Sequence, residues 1–157
     1  MRAVYEISDR HIEPGDANAL LYEPVANGYT FHRTKLYEFD CPDGTDEETV
    51  AAFVRSTLLD PISQDLHRGE EGPSDGAAFV LEYGMKPGAL DLEKEAILAY
   101  YRGVPEPGFL LEGLSVVQRI YVFGEPAGTD SASLSERFVR DICNAAIHRW
   151  NVIPSHA

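Results

Sequence analysis

Basic side chains, cysteines and long apolar runs are all scarce in this 157-residue chain. Thirteen Lys and Arg stand against twenty-six Asp and Glu, a formal charge of -13. Such a surface repels phosphate backbones and anionic lipid heads, so no nucleic acid and no membrane is expected among its partners. No apolar run reaches the roughly 20 residues that cross a bilayer, because Glu, Arg or Gly interrupts every candidate. The two cysteines, Cys41 and Cys143, have no paired spacing, and the opening MRAVYEISDRHIEP is charged almost at once instead of forming a secretory pattern. Free thiols in a reducing, cytoplasmic compartment are expected.

Chemistry-bearing motifs are equally sparse. The string G-x-x-x-x-G-K-[ST] does not occur, and GEEGPSDG at Gly69 to Gly76 carries three acidic side chains that oppose a phosphate. The five histidines lack any H-x-x-x-H spacing, so no metal site is expected. Cys41 sits beside Pro42 in a turn with no general base indicated, and Cys143 reads as a small buried hydrophobe. No catalytic, cofactor-binding or metal-binding residue is assigned.

What the chain does have is a composition for folding, 44% hydrophobic and 25% charged, and an internal echo. YEFDCPDGTD at Tyr37 to Asp46 and YVFGEPAGTD at Tyr121 to Asp130 agree at six of ten positions without a gap. The same offset of 84 pairs Val54 with Phe138, Leu58 with Ile142, Ile62 with Ala146 and Leu66 with Trp150. Two copies at so long a period point to a duplicated small domain whose halves pack as a homodimer would. The halves are expected at 1–68 and 77–153, joined by an exposed acidic Gly/Pro linker at 69–76.

Strands are expected at RAVYEIS, at YTFHRTKLYEF, at AAFVLEY and at LSVVQRIYVFG, the last as one long strand or two joined by a kink. DANALLYEP, from Asp16 to Pro24, allows at most two or three helical turns. Asp91 can cap a helix over LEKEAILAYY with Leu92, Ala96, Ala99 and Tyr100 on one face, ending at Gly103. Capping-box spacings at Thr45 with Glu48 and Ser133 with Glu136 open the other two helices. Val50, Val54 and Leu58 face inward from the first of these, and Leu134, Phe138, Ile142 and Ile147 from the second. The fold class is α+β: two pseudo-twofold-related β-α-β-β-α units, with antiparallel sheets covered by helices on one face. The aromatic set Tyr100, Tyr101, Phe109, Tyr121, Phe123 and Trp150 is expected to fill the core and the packing between halves.

VLEYGMKPGALDLEKEAI at Val80 to Ile97 and RIYVF at Arg119 to Phe123 are similar to the opening strand, K-P-G-x-x-D turn, helix and later strand of a known family. That family is the PurS subunit of phosphoribosylformylglycinamidine synthase, together with the PurS-like N-terminal region of the long form of that enzyme. STLLDPISQDL at Ser56 to Leu66 resembles its Leu-Leu, acidic or amide, Pro pattern, and ICNAAIHRW at Ile142 to Trp150 resembles the degenerate copy. The first half departs from the family in carrying HIEPGDAN, from His11 to Asn18, where a K-P-G turn would stand. Asn144 and Ala145 replace the second copy of Asp60 and Pro61.

The resemblance implies an accessory role without catalysis in this chain. It would bridge the ATP-dependent synthetase and the glutaminase, its partners in purine biosynthesis, and help ammonia pass between them. ATP and magnesium would belong to the synthetase, leaving no cofactor here. Lys86, Pro87, Gly88, Asp91, Asp60 and Pro61 match the motifs and are the interface candidates, and further self-association is compatible with it. The alternative from another class is a regulatory α+β module binding a small molecule between the halves.

Overall fold

In the computed structural model, residues 1–11, 13–25, 28–69, 76–124 and 131–154 are described. β-Branched and aromatic runs form the strands β1 (Arg2–Asp9), β3 (Thr30–Asp40), β5 (Phe79–Met85) and β6 (Gly113–Phe123), where the residue pattern places them. β6 is one uninterrupted strand of 11 residues. Shorter strands are β2 (Gly15–Asp16), β4 (Gln64–Arg68) and β7 (His148–Pro154). The helices are α1 (Glu47–Thr57), α2 (Leu92–Gly103) and α3 (Ser131–Ile142). The fold is α+β with antiparallel pairing. β1 lies between β3 and β4, and β5 lies between β6 and β7, so both halves of the sequence use the same strand order.

β4 and β7 correct an expectation. Each half is expected to end in its second helix, the last of them reaching Ile147, but α1 stops at Thr57 and α3 at Ile142. After a short turn the chain becomes an edge strand in each case, leaving Ile62 exposed and Ile147 only partly covered. Each half therefore ends in a strand, not a helix. Asp16 to Pro24 holds one 3-10 turn, Ala17–Leu20, whose cap is the Asp16 carboxylate accepting from the Asn18 N–H.

Residues in spatial proximity form two compact units that differ from the two sequence halves. The first contains β1, residues 35–40 of β3, α1, β4, α2 and residues 113–117 of β6. The second contains β2, residues 30–34 of β3, β5, residues 118–123 of β6, α3 and β7. The long strands β3 and β6 each run through both units. Residues 70–75 of the expected linker at 69–76, and the second Gly-Thr-Asp turn at 128–130, lie outside the described residues.

The first unit's core joins Tyr5, Phe39, Val50, Val54 and Ile97, with Leu58, Leu98, Tyr101 and Val104 packed against it. Phe53 meets Phe39, Tyr101 and Phe109 edge-on at centroid distances of 6.3, 6.0 and 5.5 Å. The buried side of α2 is thus the Ile97 side. Leu92, Ala96, Ala99 and Tyr100 face outward, with Leu92 73% and Tyr100 55% exposed against 5% for Ile97. Polar bonds select this face: the Glu93 carboxylate accepts from Lys35 Nζ at 3.1 Å and from the buried Tyr37 hydroxyl at 2.8 Å. Burial, and then the Glu93 carboxylate, push the Tyr37 hydroxyl far above its ordinary pKa.

The second unit's core joins Leu81, Phe79, Ile120, Val122, Leu134 and Phe138. Here Glu82 and Arg119 are cross-strand partners, joined by Nε to Oε1 at 2.7 Å with both side chains largely covered. Of the aromatic set, Tyr121 is buried, stacked by His32 at 4.8 Å, whereas Trp150 is exposed.

The face reversal on α2 predicts that Ile97→Ala lowers the free energy of unfolding by about 2–4 kcal/mol. Leu92→Ala should change it by less than about 0.5 kcal/mol. Urea titration followed by circular dichroism checks both.

Candidate functional site

Lys86, Pro87 and Gly88 leave β5 in a tight turn closed by the Ala89 N–H donating to the Lys86 carbonyl at 3.0 Å. Pro87 presets the first central position of this turn, and Gly88 occupies the second at φ +87°, a conformation that favours glycine. All three residues are exposed. The Lys86 ammonium reaches across 59 residues to donate to the Ala145 carbonyl, and its N–H donates to the Ile147 carbonyl at 2.8 Å. Asp91 belongs to the first unit. It caps α2 as the sequence predicts, its carboxylate accepting from the Lys94 N–H at 3.1 Å.

Asp60 and Pro61 form the turn between α1 and β4. Asp60 Oδ1 accepts from the Ile62 N–H at 3.0 Å and Oδ2 from the Ser63 hydroxyl at 2.8 Å. The Asp60 N–H donates to Gln64 Oε1 at 2.9 Å, and the Asp60 carbonyl accepts from the Gln64 N–H. Arg10, just past β1, donates to the Pro61 carbonyl at 3.3 Å and to Asp65 Oδ1 at 3.1 Å.

The turn between α3 and β7 repeats this network 84 residues later with different side chains. Asn144 Oδ1 accepts from the Ala146 N–H at 3.0 Å, the Asn144 N–H donates to His148 Nδ1 at 2.9 Å, and the Asn144 carbonyl accepts from the His148 N–H. Lys86, just past β5, takes the place of Arg10. Acceptance at Nδ1 leaves His148 carrying its proton on Nε2 when neutral. No sequence motif marks Arg10, and the histidines lack ligand spacing, so the roles of Arg10, His32 and His148 show only in the fold; the offset of 84 links His148 to Gln64.

Two capping expectations are corrected. Asp46, not Thr45, caps α1 by accepting from the Glu48 N–H at 3.1 Å, while the Thr45 hydroxyl donates to the Pro42 carbonyl at 2.6 Å. Ser133 lies inside α3, two residues after its start.

The thiols are poorly activated. Burial raises the Cys41 pKa above its ordinary value and pushes that of Cys143 up to about 11, so neither is an appreciable thiolate at neutral pH. Among the described residues, no three His, Cys, Asp or Glu side chains gather as a metal site, and no helix is long and apolar enough to cross a membrane.

No protein-family profile, curated protein or solved structure matches this chain.

The Ile62 N–H, and then the Ser63 hydroxyl, hold the Asp60 carboxyl below its ordinary pKa. A group depressed on folding adds stability above its unfolded value, about 3.9, and that stability is lost as pH falls through the folded value. Asp60→Asn keeps the Ile62 contact, as Asn144 does in its own turn, but cannot titrate. Wild type should therefore lose more stability than Asp60→Asn between about pH 5 and pH 2.5. Parallel urea-midpoint profiles over that range would contradict the assignment.

Proposed function

We propose that this chain is a PurS-like accessory module of phosphoribosylformylglycinamidine synthase. In this reading it docks the ATP-dependent synthetase to the glutaminase in the cytoplasm and aids ammonia transfer in de novo purine biosynthesis. Its role is to hold surfaces in place; ATP, magnesium and the glutaminase nucleophile belong to the partners. The observation that carries the reading is that the K-P-G turn meets the segment that resembles the family's degenerate copy. In the second unit the K-P-G turn touches the Asn144–Ala145 turn through Lys86 and the Ala145 carbonyl.

The strand order β4–β1–β3 and its repetition as β7–β5–β6 also support it, because a duplicated unit accounts for both at once. Exposed Lys86, Pro87 and Gly88, and exposed Asp60 and Pro61 in the other unit, offer rigid, locally hydrogen-bonded turns as docking points. Rigid turns suit such a role because little loop entropy is lost when a partner binds.

Mixing the synthetase and glutaminase parts with and without this chain tests the reading. Glutamine-dependent formylglycinamidine ribonucleotide formation should require the chain, ammonia-dependent formation should not, and either part should retain it in a pull-down. Absence of both binding and effect would overturn the proposal.

A further inference from the structure

The second unit contains a cavity of about 420 Å³ between α3 and β7, and its walls are mainly apolar: Val139, Cys143, Ala145, Trp150 and Val152. Its origin is legible by comparison with the positions 84 residues earlier. There Leu59 and Leu66 pack against the first unit's core, and Arg68 on β4 forks to Glu48 on α1. In the second copy Cys143 replaces Leu59, Val152 replaces Arg68 and Ala132 replaces Glu48. The shorter Cys143 and Val152 and the loss of that strap, with the larger Trp150 in place of Leu66 standing 43% exposed instead of covering the gap, leave the space between helix and edge strand open.

We propose that this cavity binds a small monocarboxylate with a compact aromatic or branched apolar body. The volume suits a small organic molecule. Trp150, 43% exposed although its neighbours on the cavity wall are apolar, offers a ring face for stacking. The neutral Cys143 thiol provides an apolar wall. Arg140 stands at the rim with its Nε donating to Asp141 at 3.1 Å and its side chain 65% exposed, a geometry in which the planar guanidinium can also receive a carboxylate. Glu136, one helical turn away on the same rim, together with a chain charge of -13, disfavours a dianion more than a monoanion that pairs with Arg140.

Trp150 is the only tryptophan, so its emission reports on this cavity alone. Phenylacetate is the probe, with benzyl alcohol and phenethylamine as neutral and cationic controls. Phenylacetate should shift Trp150 emission saturably with a Kd of about 0.1–1 mM, as expected for ten heavy atoms of modest efficiency. Benzyl alcohol should bind more weakly, and phenethylamine weakest of the three. Cys143→Leu, which restores the side chain found at position 59, and Val139→Phe each narrow the cavity without filling it, and combined they should weaken binding at least about threefold. Their folding is checked by circular dichroism and thermal unfolding. Arg140→Gln should weaken phenylacetate about fivefold or more while leaving benzyl alcohol unchanged. No saturable shift up to about 10 mM, ten times the weak end of the expected range, would overturn the site. Undiminished binding by the folded double variant would overturn the location, and phenethylamine binding as well as phenylacetate would overturn the ligand class.

Discussion

The chain must turn back after each terminal helix and lay an edge strand beside the first strand of its half, and the rest of the architecture depends on that return. β4 pairs with β1, and β7 pairs with β5, only if the turn after α1 or α3 is held at the right register. A register slip by one residue would exchange the two faces of an edge strand. The chain holds register with an Asx-type turn and with one long basic side chain from just past the first strand. Arg10 secures the Pro61 carbonyl, and Lys86 secures the Ala145 carbonyl. Each bond is individually modest, but together they satisfy turn carbonyls that would otherwise be left to solvent.

The two units cover their sheets unequally. In the first, α1 and α2 both contribute to the core, and Glu93 fixes which side of α2 faces inward. In the second, among the described residues α3 is accompanied only by the single 3-10 turn, whose Ala17 and neighbouring Leu21 are buried in the same core. Tyr22 and Glu23 tie that segment to α3 through Asp141 and Arg137. One side of α3 is thereby covered. The other, toward β7, borders the cavity.

Strands and helix centres were legible in the sequence because β-branched runs and capped, periodic segments agree there with the tertiary outcome. Edge strands were not. Pro61 disfavours helix at Asp60 and marks the end of α1, but the following QDLHR lacks the β-branched or aromatic run that marks a strand. After α3 no proline intervenes, so only Asn144 marks the stop. The outward face of α2 was misread for a different reason. Two apolar stripes share that helix, and periodicity cannot choose between them; the larger Ile97, Leu98 and Tyr101 bury more area than Ala96 and Ala99. Of the interface candidates, Asp91 had a local signature that specifies its position fully. Lys86 did not, because its partner lies 59 residues away.

Native-state hydrogen exchange in Lys86→Met tests the central claim about the return turn most directly. Loss of one such bond should raise exchange of the β7 amides paired with β5 by about 3- to 10-fold, while the β4 amides paired with β1 keep wild-type protection. Unchanged protection across β7, or an equal rise in both edge strands, would contradict the role assigned to the basic side chain.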